Sequence, residues 1–559
     1  MKEIKSILSN IYTLEEINFL EDGIKKLWIK YKDIQEPVNI KLTEKDVVLI
    51  TYGDQVFRKG ESKLQTLNKL LLNKLKDEIS IVHILPFYPS CSDDGFSVID
   101  YYQVDPELGE WKDVEAISDN FKLLFDAVIN HSSQDCEWFQ KFLDSDEEFS
   151  DFYVEMDDPS AYINVVRPRT SPLSHTYKSS DGTKEIWTTF SKEQVDLNFK
   201  NPKVLLQILD LLLFYISKGA QIIRLDAVGF LWKEKNTTCI HLPQTHLLIK
   251  VMRKVIEKLP SSAMLLSETN VPHLENISYF GNGDEAHMVY NFTLPPLLAY
   301  SILSGDAKKL SDWTKSLKLP YENVCYFNFL ASHDGIGVRP VDHILNKDEL
   351  DILINSAKSN GGKISYKSNP DGGQSPYEIN CNYFSLLKGE ECSEELGIRR
   401  SIIAHAVLLT MPGLPAIYFH SMFGSENNID GMEQSGINRR INREKFNCDH
   451  LNTLLDNLNS RQSIILEYLK KMINVRKTDP AFNPYGLFKA DRPCKGIFSL
   501  ELTSIDGNSK VKTFFNLTDR KIDIPLSYSE SKIDLLSGNS YLYNLELNPL
   551  EFVWLKIKR

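Results

Sequence analysis

Residues Gln221 to Phe230 read QIIRLDAVGF, a short apolar run that contains two opposite charges. Its isoleucines and leucine predict a strand that is buried on both faces, as in a parallel sheet. Arg224 and Asp226 must pair with each other or with a ligand there, because an unpaired buried charge costs several kcal/mol. An isolated R-x-D is most often a structural ion pair, so the rest of the chain decides whether this one belongs to a functional site.

Seven further apolar runs of this kind occur along the chain, and segments with helical periodicity lie between them. With the quoted stretch as the fourth, the other predicted strands are residues 46–52, 79–87, 121–128, 263–267, 287–292, 324–332 and 416–419. The last follows PGLP, which we interpret as a breaker. This alternation predicts an α/β protein with a (β/α)8 TIM barrel and disfavours a doubly wound sheet.

Four segments lie outside the predicted barrel. Residues 1–45 have helical spacing and predict an N-terminal arm, whereas 486–559 consists of short alternating segments typical of an antiparallel β domain. Residues 132–201 and 338–395 are too long for simple loops, so we expect insertions after strands three and seven. The barrel itself is assigned residues 46–131, 202–337 and 396–485.

Composition limits the class of protein. With 42% hydrophobic residues among 559, the chain can bury a large core. The net charge of −12 and the absence of a long basic cluster argue against nucleic acid or an anionic membrane as partner. The start of the chain lacks a signal-peptide pattern, and its eight scattered cysteines suit reduced thiols better than disulfides or zinc. We therefore expect a cytoplasmic protein; the sequence makes no prediction of its oligomeric state.

Polar residues follow the ends of four predicted strands. They are Asp126, Asn130 and His131, then Arg224 and Asp226, then Glu268, and finally His333 and Asp334. The carboxyl ends of barrel strands meet at one face, so Asp226, Glu268 and Asp334 should share a pocket. Three such carboxylates repel one another, and folding alone does not favour that arrangement. Each is individually compatible with a structural role, but together they predict a catalytic site.

The presence of several carboxylates limits the types of reaction that the site can catalyse. Retaining glycosyl transfer uses two carboxylates about 5 Å apart, one as nucleophile and one as general acid and then base. A third can stabilise the positive charge of the transition state. A divalent-metal site is the alternative, but no HExxH or comparable close spacing occurs. We predict neither a metal nor a cofactor.

The segments DAVINH, RLDAVGF and FLASHDGIG, together with the strand end at Glu268, resemble the signature regions of glycoside hydrolase family thirteen, the α-amylase clan. ITYGDQ, HILPFYPS, DDGFSVIDY, RPR and INR are similar to its sucrose phosphorylase subfamily. The resemblance implies that Asp226 is the nucleophile, Glu268 the general acid/base and Asp334 the transition-state stabiliser. It further implies a set of residues that bind the glucosyl hydroxyls, namely Asp93, His131, Gln194, Arg224, His333 and Arg443.

Phosphorylases of this subfamily intercept the glucosyl-enzyme with inorganic phosphate instead of water. The resemblance implies phosphate or acceptor contacts from Arg167, Arg169, Asn270, Gln374, Tyr377 and Glu378. The chain departs from the sucrose-specific pattern at Phe230, Thr269-Asn270, Val166 and Gln374-Ser375. We therefore expect the glucosyl subsite to be kept and the acceptor subsite to be rebuilt.

ETNVPH, CIHLPQTH and SPYEIN resemble the branch that acts on glucosylglycerate or glucosylglycerol. This predicts a phosphorylase that converts 2-O-α-glucosylglycerate and phosphate into α-glucose 1-phosphate and glycerate. A glycerate carboxylate needs a cation, for which the candidates are Arg167, Arg169, Lys367 and Arg339. Gln374, among the predicted acceptor residues, is neutral and would not attract a carboxylate. Uncharged glycerol therefore remains an alternative acceptor.

Other functions remain as alternatives at this point. They are phosphorolysis of sucrose or sucrose 6'-phosphate, an α-glucosidase or transglucosidase with the same carboxylates, and a non-catalytic scaffold. The scaffold is disfavoured because Asp226, Glu268 and Asp334 are all present. The predicted partners are a small sugar substrate and inorganic phosphate, with no nucleic acid and no membrane.

Overall fold

Eight parallel strands form a closed barrel at the centre of the protein. The structure is a computed structural model that describes residues 1–34, 41–260, 263–368, 373–390, 393–526 and 531–558. The barrel strands are β1 Val48–Thr51, β2 Ile81–Ile84, β3 Lys122–Val128, β4 Ala220–Asp226, β5 Met264–Ser267, β6 Met288–Tyr290, β7 Cys325–Phe329 and β8 Leu414–Tyr418. Each strand lies beside its neighbours in sequence, and β8 closes the barrel against β1. The predicted (β/α)8 fold is confirmed.

The strands form because their apolar runs can be buried on both faces. Every residue of β1, β2 and β5 to β8 is buried, and each large apolar side chain contributes about 1.5–3 kcal/mol on burial. The predicted start of the eighth strand is wrong, since β8 begins inside PGLP at Leu414. Pro415 precedes the first residue that pairs with β1, Ala416, and a strand tolerates proline at such a starting position.

Helices surround the barrel, and their ends follow local capping chemistry. The Asn201 side chain accepts a 3.0 Å hydrogen bond from the Lys203 amide, and Pro202 occupies the first turn, so a helix begins there. The α-helices are Lys2–Leu8, Leu14–Lys30, Lys63–Lys74, Trp111–Ser118, Glu137–Leu143, Pro202–Ser217, Pro243–Ile256, His273–Ile277, Leu294–Ser304, Lys308–Ser316, Lys347–Ser359, Tyr383–Lys388, Glu394–Leu408, Phe419–Met422, Ile429–Ser435, Cys448–Asp456 and Arg461–Arg476. In the described part of the chain, none of them is both long and apolar enough to cross a bilayer.

The first two helices form an arm that packs on the outside of the barrel. Helix Leu14–Lys30 begins at a capping box in which the side chains of Thr13 and Glu16 each bond the other residue's amide. This helix contacts Pro202–Ser217, and Lys2–Leu8 contacts Pro243–Ile256. Residues 35–40 of the predicted arm lie outside the described residues.

Two insertions follow β3 and β7. The first contains the antiparallel pairs His131–Ser133 with Gln194–Asp196 and Ser174–Ser179 with Gly182–Trp187. The second contains a three-stranded sheet of Ile336–Gly337, Gln374–Asn380 and Lys363–Ser368. Residues 369–372 and 391–392 of the predicted second insertion lie outside the described residues.

An antiparallel β domain ends the chain, as predicted. A six-stranded sheet contains Leu487–Asp491, Ile497–Thr503, Lys510–Asn516, Phe552–Lys558, Ser531–Asp534 and Ser540–Tyr541. A further pair is Ile522–Pro525 with Asn544–Leu547, and a separate short parallel pair is Val56–Phe57 with Phe446–Asn447. The seven described cysteines are all free thiols.

Candidate active site

The three predicted carboxylates lie together at the carboxyl end of the barrel. Asp226 is the last residue of β4, and Glu268 follows Ser267, which is in register with Leu225 of β4. Asp334 lies in the loop after β7. All three carboxylates line one pocket with an empty volume of about 830 Å³, including the part that opens to solvent. The barrel therefore brings together the groups that the sequence placed at separate strand ends.

Arg224 is the cation that holds this cluster together. Its Nη1 donates a 2.9 Å hydrogen bond to Asp226 Oδ1 and also bonds Asp126, while Nη2 lies 3.9 Å from Glu268 Oε2. Asp126 is held in addition by His83, whose Nε2 is 2.6 Å away. One buried guanidinium thus faces three carboxylates, and the R-x-D pair is part of a site.

The electrostatics of the pocket separate the carboxylates. Burial raises the pKa of both Asp226 and Glu268, and the negative charge of Asp334 raises both further, so this pair holds a proton to a higher pH than an isolated carboxyl group does. We place that proton on Glu268, because Arg224 donates directly to Asp226 and is 1 Å more distant from Glu268. Burial also acts to raise the pKa of Asp334, but the charges of Arg439 and Arg443 outweigh this and hold it below its usual value.

The backbone after β4 turns sharply toward the acid. Ala227 adopts a left-handed conformation with φ of 49°, which is unfavourable for a residue with a Cβ. In this conformation its N–H donates a 3.0 Å hydrogen bond to Glu268 Oε2. The strained turn therefore links the end of β4, which carries Asp226, to the carboxyl group of Glu268.

Four of the predicted sugar-binding residues line the pocket: Asp93, His131, Gln194 and His333. Gln194 Nε2 donates to the Phe96 carbonyl at 2.9 Å and lies 3.1 Å from His131 Nε2. His333 stacks on the Phe96 ring with 4.5 Å between the ring centroids. Phe96 thus fixes side chains from two distant segments of the chain.

The other two predicted sugar-binding residues, Arg224 and Arg443, lie behind the pocket wall. Arg443 is buried, and its Nε donates a 2.8 Å hydrogen bond to the His333 carbonyl. Its Nη1 contacts Asp94 Oδ2 at 2.8 Å and Asp93 Oδ1 at 3.3 Å. Arg443 is therefore placed to support pocket residues, and the sequence missed Asp94 as its main carboxylate partner.

The predicted phosphate and acceptor residues divide into two groups. Arg169, Asn270 and Tyr377 line the pocket, whereas Arg167, Gln374 and Glu378 do not. Gln374 is exposed at the far end of strand Gln374–Asn380, where it pairs with Ser368 across the sheet. The distance along that strand keeps its side chain away from the site. Arg167 is partly buried, with Nε and Nη2 unbonded in the described structure.

Glu378 instead holds an arginine that the sequence analysis did not single out. Arg439 Nε and Nη2 donate to the two Glu378 oxygens at 3.0 and 2.9 Å, and its Nη1 lies 2.5 Å from Asp334 Oδ1. The side chain of Glu378 is only 2% exposed and also accepts the Gly335 amide at 2.6 Å. Its carboxylate has no free face toward the pocket, so the prediction that Glu378 contacts phosphate or acceptor is not supported by the geometry.

Gly335 makes this arrangement possible. A Cβ at this position would lie 2.5 Å from Glu378 Oε1, which is closer than any side chain tolerates. Glycine therefore lets the Glu378 carboxylate approach the backbone next to Asp334. No group of three or more His, Cys, Asp or Glu side chains able to hold a metal ion occurs within the described ranges.

Comparison with known proteins identifies the family. The profile of the alpha-amylase catalytic domain matches residues 69–341. Glucosylglycerate phosphorylase of Spirochaeta thermophila is 41% identical and covers 99% of this chain and 98% of its own length. The chain belongs to the glucosylglycerate phosphorylase family. The enzyme of that name from Escherichia coli is 42% identical, with 92% of each chain covered. The predicted resemblance to the α-amylase clan and this branch is confirmed.

A solved structure shares the fold of this glucosylglycerate phosphorylase family member. Sucrose 6F-phosphate phosphorylase from Thermoanaerobacter thermosaccharolyticum has a TM-score of 0.75 and 24% identity. The alignment covers 90% of this chain and 99% of that structure. This likeness supports the barrel with its insertions and C-terminal β domain.

Sequence reasoning missed several walls of the pocket in this family member. Arg439 was overlooked because only the last arginine of NRRINR was taken from the motif. Three arginines within five residues were the available signal. Arg439, in the short 3-10 helix Asn438–Asn442, and Arg443, directly after it, both reach Asp334. The sequence analysis also did not predict that three apolar residues line the pocket, namely Phe190, Ile240 and Val271.

Replacing Arg439 with glutamine tests its structural role in this pocket. We expect the free energy of unfolding to fall by about 3–5 kcal/mol, because Glu378 and Asp334 then lose a buried partner. Urea unfolding followed by tryptophan fluorescence measures this loss. The double variant Arg439→Gln/Glu378→Gln should recover part of the stability but not the activity. Equal stability of the single variant and wild type would contradict the assignment.

Proposed function

We propose that this enzyme is a retaining phosphorylase that converts 2-O-α-glucosylglycerate and phosphate into α-glucose 1-phosphate and glycerate. The observation that carries the proposal is the pairing of Asp226 and Glu268 on one buried guanidinium, that of Arg224, at the floor of a pocket. The names of relatives at 41 and 42% identity supply the substrate and the reaction type.

In the first step, Glu268 donates its proton to the glycosidic oxygen while an Asp226 oxygen attacks the anomeric carbon. The bond from that carbon to the glyceryl oxygen breaks, glycerate leaves, and a β-glucosyl ester forms on Asp226. The ionised Asp334 stabilises the positive charge that develops on the sugar ring. Arg224 supports this step by keeping the attacking carboxylate ionised.

In the second step, a phosphate oxygen attacks the same carbon from the face that glycerate has left. Glu268, now ionised, accepts the proton of the attacking phosphate, and the ester bond to Asp226 breaks. Two inversions give α-glucose 1-phosphate with retained configuration. The enzyme returns to its starting protonation state, with the proton again on Glu268.

Arg169 and Tyr377 are the proposed phosphate contacts, because both line the pocket. The Arg169 guanidinium lies 3.7 Å from Glu378, which is longer than a normal hydrogen bond. Since Glu378 is already bonded to Arg439, the planar fork of Arg169 can turn to a pair of phosphate oxygens. The tyrosine hydroxyl supplies a further donor.

A phosphate-dependence assay tests this function. We expect glucosylglycerate to be consumed only when inorganic phosphate is present, with α-glucose 1-phosphate as the product by NMR. Sucrose, sucrose 6'-phosphate and glucosylglycerol, offered at equal concentration, should give lower kcat/KM values. Release of free glucose at the same rate with and without phosphate would show a hydrolase and reject the proposal.

We place the enzyme in the cytoplasm. The free state of the seven described cysteines supports a reducing compartment, and the reaction requires a supply of inorganic phosphate. The proposed partners are the sugar substrate glucosylglycerate and inorganic phosphate.

A further inference from the structure

The acceptor side of the pocket can be located from the general acid. Glu268 protonates the oxygen that leaves, so the glyceryl group must lie on the same side of the sugar as Glu268. Thr269, Asn270 and Val271 follow Glu268 along the chain and line the pocket, as does Ile240. We call these residues the acceptor wall. The glyceryl group, which carries a negative charge, must contact this wall.

Arg339 reaches this wall through a close backbone contact. A Cβ at Gly337 would lie 2.3 Å from Asn270 Nδ2, so the amide of Asn270 packs directly on the glycine. Two residues later, Arg339 opens a short 3-10 helix, Arg339–Val341, and lines the same pocket. Gly337 thus brings the second insertion against the acceptor wall and places a cation beside Asn270.

The Arg339 guanidinium is only loosely paired. Its Nη2 lies 3.5 Å from Glu275 Oε2, beyond normal hydrogen-bond length, and the Glu275 side chain is 43% exposed. His241 Nε2 lies 3.3 Å from the same carboxylate. Burial and the charge of Arg339 lower the pKa of His241 to about 4, so His241 adds no competing positive charge at neutral pH. Arg339 therefore keeps N–H groups available for a ligand.

The other cations that line the pocket are already committed. Arg439 bonds Asp334 and Glu378, and Arg169 is our proposed phosphate contact. Asn270 Oδ1 is a buried acceptor atom without a hydrogen bond in the described structure. An arginine beside an unbonded amide oxygen matches a small molecule that carries both a carboxylate and hydroxyl groups, as glycerate does.

We propose that Arg339 binds the carboxylate of the glyceryl group and so sets the preference for glycerate over uncharged acceptors, while Asn270 accepts a hydrogen bond from a glyceryl hydroxyl. This inference rests on the proposed function. It assigns the two anions of the reaction to separate arginines, with phosphate on Arg169 and glycerate on Arg339.

The Arg339→Gln variant tests the assignment in the direction of synthesis. We expect the KM for glycerate to rise about 10- to 100-fold, the usual effect of losing a charge-assisted hydrogen bond. The preference for glycerate over glycerol should fall by a similar factor. Exchange of labelled phosphate into α-glucose 1-phosphate involves no glycerate, so its rate should change by less than about threefold.

Three further measurements make the test decisive. Lys363→Gln removes an exposed cation of the same insertion that does not line the pocket, and its KM for glycerate should equal that of wild type. Arg169→Gln should instead slow the phosphate exchange. Arg339→Lys, which keeps the charge, should recover part of the glycerate affinity.

The outcomes separate this inference from the proposed function. If Arg339→Gln slows phosphate exchange as much as glycerate use, Arg339 serves phosphate or the fold, and the inference is overturned. An unchanged KM for glycerate overturns it as well. Wild-type enzyme that fails to exchange phosphate at all would reject the phosphorylase function itself.

Discussion

Asp226→Asn is expected to lower kcat/KM for glucosylglycerate by about ten-thousandfold or more. An amide nitrogen or oxygen is a poor nucleophile toward the anomeric carbon, so the ester that divides the reaction into two steps cannot form. The change is nearly isosteric, and Arg224 can still donate to the amide oxygen that replaces the carboxylate oxygen 2.9 Å away. Initial rates with a coupled assay for α-glucose 1-phosphate measure the effect.

A matched variant guards against a folding defect. Asp210→Asn alters an aspartate on the outside of the barrel that is paired with Lys30, and it should keep wild-type activity. Comparing the thermal midpoints of both variants separates catalysis from stability. More than about a hundredth of wild-type activity in a pure preparation of Asp226→Asn would refute the nucleophile assignment.

Glu268→Gln is expected to lower kcat/KM for glucosylglycerate by about a thousandfold, because the glyceryl oxygen must then leave without a proton. α-Glucosyl fluoride needs no such proton, so it should still form the ester on Asp226. In intact-protein mass spectra the variant should gain one glucosyl group. Azide, which needs no general base, should release this group as α-glucosyl azide and restore turnover.

The pH profile provides a second readout for Glu268. Burial and nearby carboxylates raise the pKa of Glu268, so its carboxyl group stays protonated to a higher pH than usual. The enzyme should lose activity as the pH rises through that pKa, because the deprotonated group cannot act as the acid. Wild-type kcat/KM should therefore fall on the basic side, and Glu268→Gln assayed with the fluoride should lack this fall. Equal losses with both substrates and an unchanged pH profile would argue that Glu268 is not the acid.

The fold was predictable because its signals are local. A strand that is buried on both faces must be apolar over its length, and every barrel strand coincides with such a run. Several predicted strands extend one to three residues beyond the observed ones, whereas the eighth begins two residues earlier than predicted, at Leu414. That error came from a proline that would interrupt a strand interior but is accepted near a strand start. The carboxylates were predictable for a related reason, since a barrel places all strand ends on one face.

The partners of those carboxylates were not predictable in the same way. Arg439 lies about a hundred residues after Asp334 in the chain, and no local pattern distinguishes an arginine that enters a buried cluster from one that faces solvent. Glu378 and Tyr377 are adjacent in sequence, yet one bonds Arg439 and the other lines the pocket. The strand pairing is irregular at this point and skips Tyr377, which no local sequence pattern indicates.

The sequence by itself determined the barrel and the three acidic groups at its carboxyl end, because hydrophobic periodicity and strand ends can be recognised within short segments of the chain. Only the tertiary structure decided which arginine neutralises which carboxylate, that Gln374 lies away from the pocket, and that Gly337 brings Arg339 to the acceptor wall. Those pairings depend on distances of a few ångströms between segments that meet only after folding, and charge interactions depend on such distances and on burial.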